Sequence, residues 1–204
     1  MNKYKKIVSI AATAVMCVAP MSVYAQEAQT DVIEAVAEKK QDTESSSVPV
    51  LQKEGIEISE GTGYDLSKEP GAATVKALEQ GTIVISYKTT SENAVQSLLS
   101  VGNGTKGNQD RHFHLYITNA GGVGMELRNT DGEFKYTLDR PAAVRGSYKG
   151  ERVSNTVALK ADKENKQYKL FANGELIATL EQEAFKFISD ITGVDNVMLG
   201  GTMR

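Results

Sequence analysis

From Val50 onward the chain is made of short runs in which apolar and polar residues alternate, separated by glycine-bearing turns. Alternation with period two puts successive side chains on opposite faces of a strand, so each run predicts a strand with one buried face. Ile56 and Ile58 alternate, Gly81 to Tyr87 is rich in β-branched residues, and Gln96 to Val101 continues the pattern. Further along, Phe134, Tyr136 and Leu138 alternate, then Val157 and Leu159, then Tyr168 and Leu170. Asn173-Gly174, between KLFA and ELIATL, predicts a two-residue hairpin turn, because both central positions of that turn take positive φ. Helical signals are confined to Lys76–Gln80 and Gln182–Ile188, one or two turns each. About nine short strands with turns every 8 to 12 residues or so predict an all-β fold, an antiparallel β-sandwich. No repeat of solenoid length is present.

The richest stretch is His112 to Arg128, HFHLYITNAGGVGMELR. His112, His114 and Tyr116 fall on one face of a strand, and Phe113, Leu115 and Ile117 on the other. After the turn, Met125 and Leu127 lie on one face and Glu126 and Arg128 on the other, so the two halves predict a hairpin. A three-residue turn at Ala120-Gly121-Gly122 sets Tyr116 opposite Glu126 and His114 opposite Arg128. Such a face, with hydroxyl, carboxylate, guanidinium and imidazole, suits a small polar anion. The plainer alternative is a pair of ordinary solvent-facing residues, because surface ion pairs contribute only ~0 to 1 kcal/mol.

The N-terminus bears on compartment. Lys3, Lys5 and Lys6 precede an apolar run from Ile7 to Val18, and Val23-Tyr24-Ala25 reads as a cleavage site. This is the pattern of a secretory signal peptide over residues 1–25, and the run is shorter than the ~20 residues a membrane span needs. An uncleaved anchor is the alternative. Cys17 is the only cysteine, and Met16 before it does not suit a lipoprotein cleavage site. The secreted chain is then expected to hold neither a disulfide nor a thiolate metal site. Residues 26–49 have the Glu, Lys, Gln, Thr and Ser composition of a disordered tether, and Val32, Ile33 and Val36 within it receive no function. Residues 50–204 make the folded domain. The chain stops inside an apparent strand at Val197–Arg204, which reads as a domain truncated in its last strand and leaving an open sheet edge.

Composition and missing motifs narrow the function. With 204 residues, 40% of them hydrophobic, there is enough material for one real core, and a net charge of −3 offers nothing to attract nucleic acid. The chain has no G-x-S-x-G, no H-E-x-x-H and no phosphate-binding G-x-x-x-x-G-K-[ST]. His112 and His114 have a spacing found in metal sites but no clearly placed third ligand, so they read as part of the binding face or as solvated residues. Glu54, Glu57 and Glu60 read as a solvated domain edge. No second carboxylate stands beside Glu126 on its own strand, whereas a glycosidase needs two within about 5 to 9.5 Å. No metal, cofactor or catalytic residue is expected, although calcium occurs in jelly rolls.

With its leader, its acidic tether, HFHLYI, GMELR, LFANGELIATL and the terminal GGTMR, the chain resembles the N-terminal sialic-acid-binding module of secreted bacterial sialidases. That is carbohydrate-binding module family forty, and the likeness is strongest to modules of intramolecular trans-sialidases from gut commensals. It covers about Val50 to Arg204. LFANGELIATL is common to many lectin-like sandwiches; Tyr116, Glu126, Arg128 and GGTMR are more specific. The resemblance implies a concanavalin A-like, laminin G-like jelly roll. It implies that Arg128 and Arg204 hold the sugar carboxylate, that Glu126 accepts from the acetamide nitrogen, that Tyr116 contacts the ligand and that Val95 forms an aliphatic wall. A guanidinium fork binding an ionised carboxylate is sound chemistry in its own right. The family pattern continues past Arg204 with a short strand and another tyrosine. The implied parent is an exo-α-sialidase whose separate propeller carries the catalytic groups. None of these is found in the chain, and the tryptophan of the propeller's repeated boxes is absent. The implied partners are sialic acid-terminated glycans and mucins, bound weakly by a monomer outside the cell. A spacer or adhesin without a glycan site, and a sandwich that itself hydrolyses glycosides, are the competing readings.

Overall fold

Alternation along β-branched runs builds two antiparallel sheets that close face to face. The computed structural model describes residues 12–17, 49–59, 61–89, 95–105, 107–108, 110–118, 121–129, 133–140 and 153–201. In chain order its strands are β1 (Ala12–Cys17), β2 (Pro49–Ile56), β3 (Tyr64–Asp65), β4 (Gly81–Thr89), β5 (Gln96–Gly102) and β6 (His112–Ile117). They continue as β7 (Val123–Asn129), β8 (Phe134–Arg140), β9 (Val153–Asp162), β10 (Gln167–Ala172), β11 (Glu175–Glu181) and β12 (Asn196–Leu199). One sheet runs β11-β10-β9-β4-β1-β2 and the other β3-β12-β5-β6-β7-β8, which is the predicted β-sandwich.

The core lies between the sheets. Ile83, Ile85, Val157, Leu159, Tyr168 and Leu170 face inward from the first sheet, and Leu99, Val101, Phe113, Leu115, Met125 and Leu127 from the second. Each set sits at i, i+2 positions, so the opposite face of every strand is left for solvent or for chemistry. Phe187 joins the layers, its ring centroid 5.7 Å from Phe113 and 6.4 Å from Tyr168. The Asn173-Gly174 turn forms as the sequence predicts. Both residues have positive φ, 51° and 89°, and Ala172 pairs with Glu175 across it.

The helical expectations shift. The α-helical turn is α1 (Ala72–Lys76), not Lys76–Gln80; it starts after Gly71, at φ 89°, and buries Ala72 and Val75 on one face. Residues 182–188 are not a helix: Phe185 stacks on Tyr168 at 4.8 Å, and Lys186 N donates to the Tyr168 hydroxyl at 3.2 Å. Those aromatic and main-chain partners outcompete a helical ladder, and only Ile188–Asp190 forms a 3₁₀ turn.

Two segments near the ends of the chain are paired within the sheets. Ala12–Cys17, read as part of a leader, forms a strand between β2 and β4, with Val15 paired to Gln52 on one side and Val84 on the other. At the far end, β12 lies between β3 and β5 and so is no open edge. The expected tether segment from 26 to 48 and Arg204 lie outside the described residues.

Candidate functional site

The hairpin of β6 and β7 forms with the predicted faces but with its register moved by one pair. His112 pairs with Arg128, His114 with Glu126, and Tyr116 with Gly124; the expected pairs Tyr116–Glu126 and His114–Arg128 are not made. The cause lies in the turn. Gly121 takes the left-handed position at φ 70°, Thr118 N donates to Gly122 O at 2.8 Å, and Gly122 N donates to Thr118 Oγ1 at 2.9 Å. The closing pair is therefore Thr118–Gly122, one residue nearer the N-terminus than the expected turn implies.

That register gives Tyr116 a glycine for a neighbour. A methyl group on Gly124 would lie 2.5 Å from Tyr116 Cζ, so the ring lies across the bare backbone of β7. His114 follows at a ring distance of 5.1 Å from Tyr116, and His112 at 6.5 Å from His114. His112 and His114 are buried while Tyr116 is half-buried, making an aromatic floor that opens toward solvent at the tyrosine.

Charge is concentrated at the other end of this face. Glu126 Oε1 lies 3.2 Å from Arg128 Nη1 and 3.6 Å from His112 Nε2. Arg128 Nη1 also lies 2.9 Å from Asp110 Oδ1. Asp110 stands in the loop between β5 and β6, and sequence reasoning missed it. The β6 alternation, extended one step back from His112, points to Asp110, but the run of glycine and polar residues before it reads as loop. The loop is cinched by bonds from Asn103 N to Arg111 O at 2.9 Å and from Arg111 N to Asn108 O at 3.0 Å. A second carboxylate thus stands near Glu126, brought from a loop and not from its own strand.

Val95 is 62% exposed immediately before β5, two residues from Ser97, which pairs with Tyr116. Ser97 Oγ also donates to Gly201 O at 3.0 Å, and Gly200 N donates to Leu98 O at 3.2 Å. The chain that leads to Arg204 is therefore anchored beside the strand neighbour of Tyr116. Gly201 is required there, since a methyl group would lie 2.9 Å from Gly63 Cα. The structure thus brings Tyr116, Glu126 and Arg128 onto one face with Val95 near its rim. No group of three His, Cys, Asp or Glu residues among the described residues is arranged to hold a metal ion.

A family model described as the N-terminal domain of sialidase matches residues 33–204. An anhydrosialidase from the leech Macrobdella decora is 64% identical over 189 residues, covering 90% of this chain and 25% of that protein. A solved structure of the Ruminococcus gnavus IT-sialidase CBM40 bound to α2,6-sialyllactose is 98% identical. The match covers 76% of this chain and 82% of that one, with a TM-score of 0.74. A leech intramolecular trans-sialidase complexed with 2,7-anhydro-Neu5Ac is 73% identical, covering 73% of this chain and 22% of that one, with a TM-score of 0.71. The chain spans about a quarter of the length of the anhydrosialidase it matches.

Proposed function

The chain belongs to the family of sialidase N-terminal domains, and from that premise we propose that the polar face of β6 and β7 binds the terminal sialic acid of glycans. Arg128 takes the sugar carboxylate through charge-assisted bonds. Glu126 accepts from the acetamide N–H and orients the guanidinium it already touches at 3.2 Å. Tyr116 packs and hydrogen-bonds against the ring, Val95 walls one side, and Arg204 adds a second guanidinium from the segment anchored at Gly201. The sialyllactose in the CBM40 structure supports this ligand class. The observation that carries the reading is the Arg128–Glu126 pair, held on one open face with Tyr116 laid over Gly124.

In its parent the domain serves a secreted exo-α-sialidase, an intramolecular trans-sialidase in the closest reading, by holding the enzyme on sialylated glycans, mucins among them. Residues 1–25 direct export, residues 26–49 tether, and residues 50–204 bind the glycan. A shallow face with few polar contacts predicts weak single-site binding that gains strength by multivalency.

The test is calorimetric titration of 3′-sialyllactose into the 204-residue protein and its Arg128→Ala variant. Binding that falls by at least about tenfold in a folded variant is expected for a charge-assisted bidentate contact. Binding by neither protein, with both folded, would leave the spacer reading in place. Release of free sialic acid by the protein itself, lost in Glu126→Ala, would instead mark the domain as a hydrolase.

A further inference from the structure

Arg128 is held by two carboxylates of different standing. Glu126 is on strand β7 with its side chain 20% exposed, whereas Asp110 is on a loop and 49% exposed, and both engage Nη1. Two carboxylates already engage the one guanidinium at the place where an anion must arrive. An incoming carboxylate is the third on that guanidinium and meets repulsion from the outer one. Glu126 also lies 3.6 Å from His112 Nε2 and is the less exposed of the two, so Asp110 is the carboxylate an incoming ligand can displace.

We propose that Asp110 is an internal competitor for the ligand carboxylate, a specificity-determining residue that occupies Arg128 until a ligand displaces it. This rests on the sialic-acid reading of the site. In the unliganded protein Asp110 Oδ1 lies 2.9 Å from Arg128 Nη1. A small carboxylate such as acetate offers Arg128 only what Asp110 already supplies, so exchange brings no gain. A ligand that also reaches Glu126 and Tyr116 gains contacts that Asp110 does not make, and those contacts drive the displacement. Asp110 therefore lowers affinity for all carboxylates while excluding the simple ones, which is discrimination by a built-in repulsive element.

The test compares the 204-residue protein with Asp110→Asn, which keeps the shape and removes the charge, in titrations with 3′-sialyllactose and separately with sodium acetate. Acetate is followed by the side-chain Nε–Hε chemical shifts of Arg128, and thermal denaturation checks that both proteins are folded. The expected result is at least threefold tighter sialyllactose binding by the variant, and acetate binding in the variant well above that of the parent. Weaker or unchanged sialyllactose binding by the variant would overturn the proposal and make Asp110 a positioning residue. If neither protein binds sialyllactose, the sialic-acid reading fails, while the acetate titration still decides whether Asp110 competes for Arg128: equal acetate binding by both proteins refutes competition.

Discussion

At residue 124 a hydrogen in place of a methyl group determines where the Tyr116 ring lies. Cζ, Oη and Cε2 of Tyr116 all come within 2.8 Å of where a Cβ would stand, closer than real Cβ atoms approach anything. Elsewhere in a strand interior glycine weakens the sheet, so its presence at this rung is explained by the ring that crosses it. Gly124→Ala is expected to push the ring off β7, leaving the ladder intact and even slightly favoured by propensity. Titration with 3′-sialyllactose should then show about tenfold or greater loss, equivalent to about 1.4 kcal/mol, with thermal stability near that of the parent. Unchanged binding would mean that the ring contributes nothing where it lies, and the assignment of Tyr116 would fall.

At the level of elements, period-two alternation made the faces legible, because burial on one side of a sheet selects which residues are apolar. His112, His114, Tyr116, Glu126 and Arg128 do share the polar face of β6 and β7. Register was not legible to the residue, because two adjacent glycines offered two left-handed positions and only the fold selects Gly121. Asp110 escaped because its role depends on a loop folding back, which no local pattern encodes. The 182–188 segment misled for the opposite reason: its spacing suits a helix, but Phe185 and Phe187 are taken by Tyr168 and Phe113.

The β9–β10 turn carries a pH dependence at the same scale. Burial, the largest influence on Asp162, pushes its carboxyl up, but bonds from the Asn165 side chain, Lys160 and the Asn165 backbone together hold it below its ordinary value. Asn165 Nδ2 donates to Asp162 Oδ2 at 3.0 Å, Asn165 N donates to Oδ1 at 3.1 Å, and Lys160 Nζ lies 3.0 Å from Oδ2. A carboxyl lowered by folding stabilises above its unfolded pKa, about 4, and that contribution is lost as the pH falls through the folded value. Asp162→Asn is expected to be less stable than the parent by about 1 kcal/mol at pH 7. Urea denaturation should find the difference shrinking as the pH falls from about 4, the unfolded value, through the lower folded value. A gap that stays constant from pH 7 to pH 2 would show that the ionised carboxylate is not what holds the turn.

For the whole molecule, the decisive feature is that β1 fills the space between β2 and β4 in the first sheet. Its register runs from Ala12–Ile56 to Cys17–Pro49 on one side and from Thr13–Ser86 to Cys17–Thr82 on the other. If residues 1–25 are a leader removed after Ala25, this strand goes with them, and two strand edges that face each other lose their backbone partners. Unpaired edges recruit other strands, so the shortened domain must close β2 onto β4 or accept a strand from elsewhere. A protein of residues 26–204 is therefore expected to be less stable than the full chain by on the order of a few kcal/mol, from lost ladder bonds. It should also associate as concentration rises, through the open edges. Thermal denaturation and sedimentation at several concentrations measure both effects. Sialyllactose titration on the same sample should remain close to that of the full chain, because the proposed site is on the other sheet, across the core from the gap. A shortened protein that is monomeric and equally stable would mean that β2 pairs directly with β4 and that β1 only wedges them apart. Lost glycan binding would mean that the two sheets are coupled through the core, so that a gap in one loosens the face of the other.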